Sequence, residues 1–256
     1  KWIPALILGT LVLLVMVFLP FLGLKLEGAS RWITLGALTF QPSEFLKLTF
    51  ILYLASWLSS KTEKTALFKN AKNFTQTFLG FIFILAIISL LLAFQPDIST
   101  LGIIVFISLA LYFSVRTPFW HTVFIVLTGA GLLTALIKIA PYRLNRIMVF
   151  LNPDYDPLGI GYQAKQALIA VGSGGLAGLG LGMSLQRYGF LPQSVSDAIF
   201  AIFAEETGFL GALFLIFLFL SFLWRGLKIV KQTSDKFSQL TALGIIFWIV
   251  LQSFVN

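Results

Sequence analysis

Seven apolar runs of about twenty residues constrain this chain more than any other feature. They cover residues 2–22, 42–59, 74–94, 98–114, 119–140, 198–224 and 238–256. A helix rises 1.5 Å per residue, so a run of this length matches the hydrocarbon thickness of a bilayer. Backbone N–H and C=O groups find no partner in lipid, so such runs become helices. The composition agrees, with 58% hydrophobic residues, 11% charged and a mean hydropathy of +0.95. A soluble domain carries about a quarter charged residues. The expected fold is all-α: a polytopic helical membrane protein of one membrane domain over residues 1–256, seven spans and a large external loop at 141–197. The first apolar run is too long for a signal peptide. The chain starts at Lys1 and its last run stops at Asn256, so further helices are expected beyond both ends.

The formal net charge of +8 is a topology signal. With seven spans, the linkers after the second, fourth and sixth join Lys1 on one face. That face holds ten basic residues against Glu63 and Asp235. The other face holds eight basic and eight acidic residues. By the positive-inside rule the first face is cytoplasmic, and no nucleic-acid footprint remains. Cysteine is absent and His121 is the lone histidine, which excludes disulfides, thiolate metal sites and histidine clusters. His121 lies beside Trp120 as an interfacial residue with no chemistry assigned.

The unusual polar residues gather on the outer face. Residues 23–43, with Trp32 and Phe40, read as an interfacial, partly re-entrant loop. Pro42 opens the next helix, and Glu44 and Lys47 follow three residues apart on one face. They are either a helix-start carboxylate with a snorkelling lysine or an ion pair facing a polar cavity. Asp97, after Gln95-Pro96, has the position to cap a helix starting near Ile98. Within 141–197, Arg143 and Arg146 share a helical face. Asp154 and Asp156 lie in a turn without the glycine and terminal glutamate of an EF-hand loop. Six glycines between Gly172 and Gly182 permit close backbone approach, but Met183-Ser184 follows where a phosphate loop needs lysine and a hydroxyl. Asp197 precedes the next apolar run. It is either a helix-start acid capped from Ser194 or a functional group. Glu205 and Glu206 come eight and nine residues later, about 12–13 Å along a helix. Carboxylates at that depth need a wet cavity or a basic partner. About 100° apart, they cannot both face one site.

Six motifs in order, GASRWITLG, FQPSEFLK, QPD, FLNPDYDPLGIGYQ, GSGGLAGLGLGMSLQR and LPQSVSDAIFAIFAEETGFLG, resemble the SEDS (FtsW/RodA) family of bacterial peptidoglycan glycosyltransferases. The wording GLGLGMSLQRYGFLP is nearer its division-type than its elongation-type branch. The resemblance implies a ten-helix fold with this chain as its third to ninth spans. It implies polymerisation of lipid II, the undecaprenyl-pyrophosphate-linked precursor, by inverting displacement with Asp197 as base. Glu44, Lys47, Arg31, Arg143, Arg146, Lys165 and Arg187 would bind substrate, and Asp97, Gln163, Glu205 and Glu206 would shape the cavity. No metal ligand or tightly bound cofactor is implied, although Mg2+ or Mn2+ could share the pyrophosphate. Implied partners are a class B penicillin-binding protein transpeptidase and other divisome membrane proteins. The implied location is the bacterial cytoplasmic (inner) membrane, at the division septum. Many relatives place His-Thr before the aspartate and Glu after Leu-Pro, where this chain has Val195-Ser196 and Gln193. A lipid II flippase and a non-catalytic divisome scaffold are the competing readings. Glycan synthesis in detergent argues against the first, and loss of function at Asp197 in an assembled complex against the second.

Overall fold

The computed structural model describes residues 2–19, 23–26, 29–35, 38–63, 71–115, 161–184 and 198–255, with short pieces at 120–121, 123–125, 127–129, 131, 148–149 and 151–152. These fall into two compact units, 1–117 with 223–255, and 118–222.

The first unit is built around one helix. Helix α1 (Ile3–Met16) leads into strands β1 (Gly23–Leu26), β2 (Ala29–Leu35) and β3 (Leu38–Phe40). Helices α2 (Pro42–Glu63), α3 (Ala71–Phe94) and α4 (Ile98–Phe113) follow. Helix α2 packs against α1, α4 and a late helix, Lys236–Val255. Its buried residues include Ser43, Leu46, Lys47, Phe50, Ile51, Leu54, Ala55, Leu58 and Ser59, a spacing of three and four that turns one wide face inward. Phe45 and Leu48 point out, as a bilayer solvent allows. Tyr112 of α4 stacks on Phe81 of α3 with centroids 4.4 Å apart. Among the described residues three helices are long and apolar enough to cross a membrane, at Thr77–Phe94, Ile199–Gln232 and Lys236–Val255, while Ile3–Met16 and Ile98–Phe113 are shorter apolar helices. The expected span at 119–140 lies largely outside the described residues.

Residues 23–40, read from sequence as a re-entrant loop, form an antiparallel meander in the order β1-β2-β3. Leu24 pairs with Trp32, and Ile33 pairs with both Gly23 and Phe40. Arg31 and Ile33 alternate with Ser30, Trp32 and Thr34, and in a strand period two puts successive side chains on opposite faces. Ile33 is buried. This small sheet is an addition to an otherwise helical architecture.

The second unit contains α5 (Tyr162–Ser173) and most of α6 (Ile199–Gln232). A helix therefore lies inside the stretch expected to be external loop. Back in the first unit, α7 (Lys236–Val255) starts after Asp235, whose Oδ2 accepts from the Ser238 N–H at 2.8 Å. The Ser238 hydroxyl and N–H hold the Asp235 carboxyl below its ordinary 3.8. A lowered value means the cap's contribution is present above the unfolded value and is lost as pH falls through the folded one. Asp235→Ala is expected to lower the thermal midpoint in detergent at pH 7, and the gap from the parent should close below about pH 4. An equal gap at both pH values would contradict a charged cap.

Candidate functional site

In the first unit a polar cluster joins α2 to α7. Lys47 sits on the buried face of α2, 1% exposed, while the Glu44 side chain is 43% exposed. The Lys47 ammonium donates to Glu44 Oε1 at 2.8 Å and to Gln252 Oε1 at 2.6 Å. Trp248, one turn before Gln252, donates Nε1–H to the same Gln252 oxygen at 2.6 Å. Its ring centroid lies 5.4 Å from the Lys47 nitrogen, within cation–π range. Of the two charges, the carboxylate is the one at the open side. Lys47 does not snorkel but is inserted between helices, its charge compensated by one carboxylate and one amide oxygen.

A second network surrounds Asp97, which is 4% exposed. Its Oδ1 accepts from the Thr100 N–H at 3.3 Å, capping α4. Its Oδ2 accepts from Ser43 Oγ at 3.0 Å and Gln41 Nε2 at 3.1 Å. The same turn is held by Arg31, whose Nε and Nη2 donate to the carbonyls of Gln95 and Pro96 at 3.3 and 2.5 Å. Gln95 Nε2 reaches the Leu14 carbonyl at 2.8 Å. One network thus fastens the meander, the start of α2 and the end of α1 to the α3–α4 turn. Asp97 and Arg31 both hold this turn, and the two bonds from Arg31 fix its guanidinium plane.

In the second unit the glycine-rich segment after α5 lies in a break of α6. Gly208 adopts φ 70°, ψ −170° inside the helix, a region essentially reserved for glycine. The freed backbone groups find partners in that segment. Leu179 N–H donates to the Glu205 carbonyl, Gly180 N–H to that of Glu206, Phe209 N–H to that of Gly175 and Leu210 N–H to that of Leu176, all within 2.8–3.2 Å. Such substitution of partners is what irregular backbone requires at membrane depth. Glu205, 1% exposed, accepts from Ser184 Oγ at 2.5 Å and Ser173 Oγ at 3.4 Å. Glu206, a hundred degrees round the helix, keeps Oε1 buried without a hydrogen-bond partner. The two acids therefore have different surroundings.

Gln163 and Lys165 lie in the first turn of α5 on different faces. Asp197, Arg143, Arg146 and Arg187 lie outside the described residues. Ala198 and Ile199, where α6 begins, follow Asp197 directly. Among the described residues no group of three or more His, Cys, Asp or Glu could hold a metal ion. Gln252 and Trp248 were not singled out from the sequence. A lone glutamine in an apolar run has no local partner to reveal it, because Lys47 is 205 residues away.

A family model of FtsW, RodA and SpoVE, described as cell cycle proteins, matches residues 1–256. Stage V sporulation protein E of Bacillus subtilis (strain 168) is 39% identical over 255 residues, covering 100% of this chain and 68% of that protein. The probable peptidoglycan glycosyltransferase FtsW of Idiomarina loihiensis is 37% identical over 254 residues, 98% of this chain and 60% of that protein. The chain therefore spans 60–68% of the length of these relatives. Among solved structures, a chain from a peptidoglycan synthase complex that coordinates polymerization and crosslinking aligns with a TM-score of 0.74 at 23% identity, covering 97% of this chain and 67% of that one. The rod shape determining protein RodA of Thermus thermophilus aligns with a TM-score of 0.62 at 22% identity, covering 97% and 62%. At that identity the structural likeness speaks for the fold.

Proposed function

This chain belongs to the FtsW/RodA/SpoVE family of cell cycle proteins, and we propose that it is the membrane core of a peptidoglycan glycosyltransferase that polymerises lipid II. The observation that carries this reading is the 37% identity, over 98% of the chain, to a relative named a probable peptidoglycan glycosyltransferase. The polar clusters built into its apolar helices support it, since ionisable groups in a membrane are expensive and mark function.

In the proposed step, the 4-hydroxyl of an acceptor GlcNAc attacks the anomeric carbon of a lipid-linked donor. The new C–O bond forms as the bond to undecaprenyl pyrophosphate breaks. The linkage inverts from α to β in a single displacement, and the hydroxyl proton passes to the Asp197 carboxylate as general base. Positive charge at the leaving pyrophosphate is the second requirement, for which Arg31, Arg143, Arg146, Lys165 and Arg187 are the candidate groups. Glu44 presents an acceptor to substrate hydroxyl or amide donors, and Lys47 fixes it from behind. A divalent cation, Mg2+ or Mn2+, would arrive with the pyrophosphate. The proposed partner is a class B penicillin-binding protein transpeptidase among other divisome proteins, at the septum of the bacterial cytoplasmic membrane.

The test uses the full-length protein that contains this chain, purified in detergent with lipid II, with and without the transpeptidase. Glycan strands are expected from the parent. Asp197→Asn should reduce their rate by at least about 10²-fold, the lower range for a general base. Polymerisation by Asp197→Asn at the parent rate would remove Asp197 as base. No glycan from the parent, alone or with its partner, would remove the enzymatic reading.

A further inference from the structure

The α2–α7 contact extends the site beyond the residues that the sequence motifs mark. Gly244, Trp248 and Gln252 recur every four residues along α7 and so line one face. Opposite them on α2 lie Ile51, Lys47 and Glu44. A Cβ at Gly244 would stand 2.6 Å from Ile51 Cγ2, so the glycine lets the helices approach closely, as small residues do between membrane helices. That approach brings Gln252 within 2.6 Å of the Lys47 nitrogen.

We infer that Gln252, with Trp248 behind it, is a positioning residue of the proposed glycosyl-transfer site, acting on Glu44 through Lys47. Gln252 Oε1 accepts from two donors, the Lys47 ammonium and the Trp248 indole N–H. A swap of the amide would turn N–H groups against both, so the chemistry fixes the amide's orientation. With its oxygen so placed, the amide gives the ammonium a second acceptor, and the ammonium is held where its remaining strong acceptor is Glu44 Oε1. Among the described residues, helices α1 and α4, which also pack on α2, contain no charged residue, α7 has only Lys236 at its far end, and Arg31 of β2 is engaged with the Gln95 and Pro96 carbonyls. Asp97 serves Ser43 and Gln41 near the start of α2. Among the described residues, Gln252 is thus the side chain from outside α2 that hydrogen-bonds to the pair. The consequence is specific: substrate meets the Glu44 oxygen at a place set by α7.

This inference rests on the glycosyltransferase reading, and the experiment separates the two. In the full-length protein, Gln252→Met keeps the length of the side chain and removes the acceptor, whereas Gln252→Glu keeps an oxygen in place. Both are compared with the parent for lipid II polymerisation, for KM and kcat, and for thermal midpoint in detergent. A double-mutant cycle of Gln252→Met with Lys47→Met on the midpoint reports the contact independently of activity. The expected result is a loss of about tenfold or more in kcat/KM for Gln252→Met, with a midpoint lowered when Lys47 is present and little changed when it is Met. Gln252→Glu should recover to within about threefold of the parent, with non-additive midpoints in the cycle. A parent that polymerises while Gln252→Met matches its rate would overturn the positioning role and leave the function standing. So would a loss that Gln252→Glu fails to recover, since packing alone would explain it. A parent inactive with its partner present removes the glycosyltransferase reading and this role together.

Discussion

Gly208→Ala is expected to fold in far lower yield than the parent and to unfold at a markedly lower temperature. A Cβ there would lie 2.3 Å from the Gly178 nitrogen and 2.7 Å from the carbonyl carbons of Ala177 and Leu176. All three are backbone atoms, so no side chain can swing aside. The φ of 70° with ψ of −170° adds strain of about 1–3 kcal/mol for a non-glycine residue. Separating the segments puts four backbone hydrogen bonds at risk, each worth about 0.5–1.5 kcal/mol net. Together these predict a loss above about 3 kcal/mol. Gly175 provides the control. It also has positive φ, 55°, but nothing lies within 4 Å of its Cβ position, so Gly175→Ala should cost about 1 kcal/mol. Yield by fluorescence-detected size exclusion and midpoint by thermal scan decide the matter. Equal effects at the two glycines would mean that the close approach at the break is not what matters.

The second large effect concerns sign. Glu44→Leu should destabilise the protein by about 3 kcal/mol, whereas Lys47→Met should stay within about 1 kcal/mol of the parent. Glu44 is the more exposed partner, and ordinary expectation makes it the cheaper loss. Removing it, however, leaves the Lys47 ammonium, 1% exposed, with only an amide oxygen and an indole face. An uncompensated buried charge is the costly outcome, whereas a buried pair replaced by apolar groups is often neutral. Removing Lys47 leaves a carboxylate that water can reach. The double substitution should therefore recover most of the stability lost in Glu44→Leu, while polymerisation fails in all three. Chemical or thermal unfolding of the three proteins measures this. A Lys47→Met protein less stable than Glu44→Leu contradicts the account.

The helical part of the architecture was legible because lipid imposes length. The runs at 42–59, 74–94 and 98–114 fall on α2, α3 and α4 to within a few residues. The meander was missed because its strands are three to seven residues long. Its signal lay in the alternation around Arg31–Leu35. Helix α5 was hidden by the glycines and prolines on both sides of it. The break at Gly208 had no local signal at all. A glycine in an apolar run is ordinary in membrane helices, and its conformation depends on a segment about thirty residues earlier. Asp97 was readable as a cap since capping is local. Gln252 was not, since its meaning depends on which helix lies opposite.

The interruption of α6 also has an electrical consequence. An unbroken helix would carry its partial charges only at its two ends, far from the middle of the membrane. Stopping at Gly208 and restarting at Phe209 sets a carboxy-terminal and an amino-terminal end back to back, with their partial negative and positive charges in the interior of the helix. Glu206, in the last turn before the break, belongs to the negative end, and its Oε1 is left without a hydrogen-bond partner there.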